Sequence, residues 1–164
     1  MPSIQALLFV SAALFSANAL AADKTKPDFI PDAAVQRAAT AYAAQAVATA
    51  RDQFGIKLDG TDASMVQLEA VLARAHTSYA AKSPRPSEEQ VMAVARMYGS
   101  YLGEVVRLKH GGTWGMATLA GQTLPGIRTT SGTNFWPWTH VSQRISKGAG
   151  YNVADYYKKA LLAK

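Results

Sequence analysis

The sequence predicts an α+β fold in which N-terminal helices pack on a small three-stranded antiparallel sheet and C-terminal helices complete the core. Apolar residues recur at helical spacing from Pro31 to about Lys109, as amphipathic helices require. At Gly111-Gly112 the pattern changes to short threonine- and aromatic-rich runs separated by glycine, which read as strands. From His140 to the end the helical spacing returns.

The first helix is expected over Pro31–Phe54, where Asp32 stands at the start, Gly55 just past the end, and Val35, Ala39, Tyr42 and Ala46 fall near one face. Ile56 and Leu58 bracket Lys57 in a brief extended link. Ser64, with Gln67 three residues on, has the form of a capping box for a second helix whose stripe is Met65, Leu68, Val71, Leu72, Ala75 and Tyr79. The prolines of KSPRPS (Lys82 to Ser87) break it, and Ser87 with Glu88, Glu89 and Gln90 caps a third helix running to about Lys109. Val91, Val94, Ala95, Tyr98, Leu102, Val105 and Val106 give that helix the broadest apolar face, so it should be central. Ala95, Gly99 and Gly103 stack along it at four-residue spacing. An interior glycine costs about 1 kcal/mol against alanine, tolerable where another element of the monomer must approach the backbone.

The strands are expected at Thr113–Leu119, Gly126–Thr130 and Thr133–Trp136, turning at Ala120-Gly121-Gln122 and at Ser131-Gly132, with Pro125 and Pro137 at strand ends. A short helix from His140 to Lys147 closes at Gly148, and Asn152 caps a terminal helix bearing Val153, Tyr156, Tyr157, Leu161 and Leu162.

The 164 residues are 49% apolar and 17% charged, which suits one globular domain over residues 31–164 and excludes a disordered chain. Cysteine is absent, so a disulfide framework, a thiolate nucleophile and a cysteine-based zinc site are excluded together. Ala6 to Phe15 is a ten-residue apolar run, too short for a ~30 Å hydrocarbon layer but suited to the central part of a secretory signal. Ala19-Leu20-Ala21 then matches a small-x-small cleavage site. The expectation is a signal peptide over 1–21, a flexible leader over 22–30, and a mature protein that is periplasmic or secreted with no membrane span. The alternative is an uncleaved anchor or a buried helix.

Charge is divided along the chain. From Ala22 to Glu104 there are 9 Lys and Arg against 10 Asp and Glu; from Val105 to Lys164 there are 8 against Asp155 alone. All three tryptophans lie in the basic part. Arginine among aromatic rings is the composition of binding hot spots and of single-stranded nucleic-acid platforms. The expected binding surface is therefore Trp114, Arg128, Phe135, Trp136, Trp138, Arg144 and Lys147, facing an acidic protein or an anionic envelope polymer. The bland alternative is that the rings are core and the lysines a solvated face. Alternation along a strand prevents Phe135 and Trp136 from both facing one core. Nucleic acid is favoured by charge and disfavoured by export.

Catalytic signals are sparse. His76, His110 and His140 stand far apart in sequence with no metal-ligand spacing, and neither a metal nor a cofactor is called for. Nucleophile elbows, phosphate-binding loops and dinucleotide fingerprints are absent. Glu104 is the only carboxylate between Glu89 and Asp155, with Arg107 one helical turn on. It reads as a buried structural pair with Arg107, or alternatively as the acid–base group of an envelope enzyme working with His110 or His140.

The stretch from Pro86 to Gly115, followed by LPGIR, FWPWTHVSQRI and NVADYY, resembles a scattered group of bacterial proteins defined as a domain of unknown function. Its hallmark is YLGE followed by GG-x-W, here Tyr101-Leu102-Gly103-Glu104 and Gly111-Gly112-Thr113-Trp114. The likeness covers roughly residues 58–157. It implies an α+β fold and brings no activity and no catalytic residue. Some members look like neighbours of secretion or toxin systems, which by analogy suits an immunity-like or inhibitor-like binder.

Overall fold

A computed structural model describes residues 28–162. The expected signal peptide, and the leader up to Pro27, lie outside the described residues. The elements run β1 (Phe29–Pro31), α1 (Ala33–Phe54), α2 (Ser64–Ala81), α3 (Glu88–His110), β2 (Gly112–Leu119), β3 (Gln122–Thr129), β4 (Asn134–Phe135), α4 (Pro137–Lys147), a 3-10 turn at Ala149–Tyr151, and α5 (Val153–Leu162). The fold is α+β, with five helices and one antiparallel sheet ordered β1-β2-β3-β4.

The sheet has four strands, not three. Phe29 and Ile30, assigned from sequence to the leader, belong to β1 and pair with Ala117 and Met116. Three residues containing a proline carry too short a pattern to be seen, and the strand exists because β2 offers it an edge. β3 begins at Gln122, four residues earlier than expected, so Pro125 lies inside it opposite Met116. β4 reaches β3 only at Ile127 and Arg128, so near Pro125 the strand is an edge, where a missing N–H forfeits no ladder bond. Ala120 and Gly121, both at positive φ (49° and 80°), make the two-residue hairpin turn that joins β2 and β3.

Asp32 caps α1, its carboxylate accepting the N–H groups of Ala34 and Val35, and the full capping box of Ser87 and Gln90 opens α3. Ser64 departs from expectation. It is the first helical residue, its hydroxyl donates to the Thr61 carbonyl, and it makes no cap. α4 starts at Pro137, three residues before the expected His140, because proline is well placed at a first helical position. Trp138 therefore belongs to a helix and Trp136 to its N-terminal junction.

α3 is the central helix, packed on α1 along one side and α4 along another. Its glycines do what their spacing suggested. A Cβ on Gly99 would lie 2.9 Å from backbone atoms of Pro137 and Trp138, and one on Gly103 would overlap the Trp114 ring. On the sheet, Trp114, Ile127 and Phe135 stand in register across β2, β3 and β4, all buried, and join the side chains of α1 to α5 in one apolar cluster. α2 packs chiefly on α4 and α5, which leaves a cleft between α2 and the α1–α3 pair.

Candidate binding cleft

Three of the seven residues expected to form a basic aromatic surface in the C-terminal part are buried. Trp114 is 0% exposed and Phe135 2%, because both occupy the core-facing row of the sheet. Arg144 is 3% exposed; its Nε and Nη2 bind the Glu69 carboxylate at 2.7 and 2.6 Å, while the other Glu69 oxygen accepts the Val153 N–H. This arginine ties α4 to α2 and α5 and is a structural tie instead of a docking group. Arg128 is half-buried on the outer face of the sheet, paired with Asp28 at 2.7 Å, donating to Asn134 and lying 4.8 Å from the Phe29 ring centroid. Trp136 lies against Gly126 and Trp138 against Gly99. The indole N–H of Trp138 donates to Ser100 at 2.8 Å. Lys147 is exposed beside the Tyr151 ring. Of the seven residues, Trp114, Phe135 and Arg144 are buried, Arg128, Trp136 and Trp138 are half-buried, and Lys147 is exposed.

Glu104 is a structural anchor. Its oxygens accept from Arg107 Nε and Nη2 at 2.9 Å each, from the Trp114 indole at 2.8 Å and from the Thr40 hydroxyl at 3.2 Å. Burial pushes the carboxyl up, but the hydrogen bonds from Arg107, Trp114 and Thr40 prevail and hold it below its ordinary range. An ionised, fully engaged carboxylate is a poor proton donor at neutral pH, and neither histidine touches it. His110 meets Asp62 at 3.0 Å and the Tyr157 hydroxyl at 2.7 Å. His140 stacks on Tyr156 at 3.6 Å between centroids, and Tyr156 stacks in turn on Phe135 at 4.3 Å. Burial lowers the His140 pKa. The three groups of the enzymatic alternative are therefore not brought together. Among the described residues, no group of three or more metal-ligating side chains occurs.

The YLGE and GG-x-W segments find a physical account here. Gly103 makes room for Trp114, Glu104 receives its N–H, and the Tyr101 hydroxyl accepts the Gly60 N–H and meets Ser64. They lock α3 to β2 and to the loop before α2.

What the fold leaves open is the cleft beside α2, a cavity of about 470 Å³, within the ~300–1,000 Å³ range of small-ligand sites. One wall is α1, presenting Gln45, Thr49 and Gln53 at four-residue spacing. The opposite wall is α2, with Ser78 and Tyr79, and Lys82 just past its end. The floor comes from α3 and α4 through Val91, Val94, Tyr98 and Ile145. The cleft continues past Gln45, Val94 and Met97 into a second hollow of about 230 Å³ that reaches Tyr42 and Arg96. Tyr98 is 2% exposed and its hydroxyl has no hydrogen-bond partner among the described residues; burial pushes its pKa up to about 12, so it stays a neutral donor. Such a group costs about 1–3 kcal/mol when unsatisfied. No carboxylate lines either hollow. Arg74 lies over Phe54 and Arg85 over Tyr79, both rings being cleft residues, so cations surround the end where Lys82 stands.

Sequence reasoning assigned Met65, Leu68, Ala75 and Tyr79 to one core stripe and missed that Ala75 and Tyr79, packed at the edge of that core, also line this opening. The sequence signal was the polar row Gln45, Thr49, Gln53 in an otherwise alanine-rich helix, hidden because polar residues on a helix usually face solvent.

No family model matches the chain, and no curated protein matches it. A crystal structure of a protein from Bacteroides thetaiotaomicron VPI-5482 shares the fold at TM-score 0.58 with 14% identity, over 83% of this chain and 47% of that one. The chain thus spans about half the length of that solved structure, and the likeness speaks to fold alone. The absence of a matching family model accords with the resemblance to an uncharacterised group.

Proposed function

We propose that the protein is an exported binding protein that engages an acidic partner, immunity-like or inhibitor-like in character, through the cleft between α2 and the α1–α3 pair. Export rests on the apolar run Ala6–Phe15 and the Ala19-Leu20-Ala21 site. The observation that carries the binding role is a ligand-sized cavity with polar walls over an apolar floor, cations at its rim, and a buried tyrosine hydroxyl in that floor with no hydrogen-bond partner among the described residues. Most other polar groups of the interior are paired, as folding demands, so an unpaired one at the base of an opening is where a partner gains most. The acidic character of the partner follows from the net charge of +6 and from the absence of carboxylates in the lining.

Titration with anilinonaphthalene sulfonate, an aromatic anion, tests this. Fluorescence should rise with the wild-type chain and fall with added salt, since contacts at the rim are screened over ~8 Å at physiological ionic strength. Val94→Trp, which fills the cleft, should abolish the rise while the circular dichroism spectrum is kept. Equal fluorescence from the filled variant would refute the site.

A further inference from the structure

Resting on the cleft reading, we infer that the occupant is an extended peptide segment of a partner protein, about five residues long, with alternating apolar side chains and acidic residues at its ends. Three independent features of the cleft select this class over a lipid chain or a compact metabolite.

The first is the polar row on α1. The side chains of Gln45, Thr49 and Gln53 make no hydrogen bond among the described residues. Residues four apart on a helix are separated by ~6 Å along its axis. In an extended chain, residues two apart are separated by ~6.6 Å. A strand lying along α1 therefore brings every second main-chain amide level with the next member of the row. Glutamine offers both a carbonyl and an NH2, and threonine a hydroxyl, so each can meet a peptide N–H or C=O. An acyl chain would leave the row unpaired.

The second feature is length. From Tyr42 to Phe54 α1 spans ~18 Å, which an extended chain covers in five or six residues. The 470 Å³ and 230 Å³ hollows share Gln45, Val94 and Met97, so they form one elongated trough, with the deeper part receiving one set of alternate side chains. Val91, Val94, Tyr98 and Ile145 make that floor, and a peptide carbonyl pressed into it is the acceptor that the Tyr98 hydroxyl lacks.

The third feature is charge at both ends. Lys82, with Arg74 and Arg85 nearby on the Phe54 and Tyr79 rings, marks one end; Arg96 lines the other. None of the four forms an ion pair among the described residues, where the pairs are those of Arg51, Arg107, His110, Arg128 and Arg144. Glu88 and Glu89 lie in the first turn of α3 but line neither hollow. A peptide with an acidic residue at each end meets a cation at each end, whereas a single-headed amphiphile meets only one.

The test is selection of a random hexapeptide library on the full chain, with the cleft-filled Val94→Trp chain as counter-selection. Wild type should enrich sequences with Asp or Glu at the ends and apolar residues at alternate positions between them. The best of these should lose about tenfold in affinity (~1.4 kcal/mol) when its main-chain nitrogens are methylated. It should lose as much on the double change Gln45→Ala and Gln53→Ala, which removes exposed side chains and should leave the melting temperature unchanged. Enrichment without acidic ends, or indifference to N-methylation, would overturn the peptide assignment. If anilinonaphthalene sulfonate or dodecanoate binds the cleft while no peptide is enriched, the peptide inference fails and the cleft survives. If neither small probe nor peptide distinguishes wild type from Val94→Trp, both fall.

Discussion

The indole N–H of Trp114 donates to the Glu104 carboxylate at 2.8 Å, and the ring occupies the space that a side chain at Gly103 would need. One contact thus joins the first core strand to the central helix and fixes the identity of two neighbouring helix positions. Gly103→Ala should destabilise the fold by about 1–3 kcal/mol through overpacking, although alanine is the better helix former. Chemical denaturation measures it; a stabilised variant would show that the ring is free to move aside.

The same carboxylate gives stability an acid limb. Because its folded pKa lies below the ordinary value, its contribution is whole above the unfolded pKa of ~4.3 and is lost as pH falls through the folded pKa. Glu104→Gln should flatten the pH dependence of the melting temperature in that range and lower stability at neutral pH by leaving Arg107 without its counter-charge. Denaturation profiles of both proteins from mild acid to neutrality show this directly.

His140 supplies a second limb at higher pH. It sits in a stack with Tyr156 and Phe135, and burial lowers its pKa from 6.5. Between its folded and unfolded pKa values the unfolded chain holds the extra proton, so stability declines as pH drops below about 6.5. His140→Phe retains a stacking ring without titrating and should remove that decline. A variant that still loses stability across this window would place its origin elsewhere.

Arg144 separates a structural from a docking role. Removing one member of a buried ion pair costs about 3–5 kcal/mol, so Arg144→Met should lower the melting temperature sharply by leaving the Glu69 carboxylate without its partner. Lys147→Glu, at an exposed position on the same helix, should leave stability nearly unchanged. Thermal unfolding of the two variants side by side is the check, and a folded Arg144→Met protein that has only lost binding would restore the basic C-terminal surface.

Much of the fold was legible because its signals are local. The Ser87–Gln90 box, the Asp32 cap and the switch at Gly111-Gly112 each need only a few neighbouring residues to be read, and each marks an observed boundary. β1 was not legible, since its pairing with β2 joins residues far apart in sequence and three residues carry no periodicity. The burial of Trp114, Phe135 and Arg144 escaped the sequence for a related reason. Composition counts arginines and rings without knowing their partners, and Arg144 finds Glu69 seventy-five positions away. Glu104 was readable as a pair with Arg107 because that partner is one turn off, but its bonds to Trp114 and Thr40 required the fold. The cleft left only the polar row Gln45, Thr49 and Gln53 as a trace in the sequence, because the opening itself arises from which helices α2 avoids.

Methionine-methyl NMR of the full chain, titrated with anilinonaphthalene sulfonate, tests the placement of the site most directly. Met97 lines the cleft, Met65 is buried in the first turn of α2 and Met116 lies on the sheet. The cleft account predicts a saturable shift of the Met97 methyl that Val94→Trp removes, with Met116 unmoved. A shift of Met116 with Met97 silent would contradict it and move the site to the sheet.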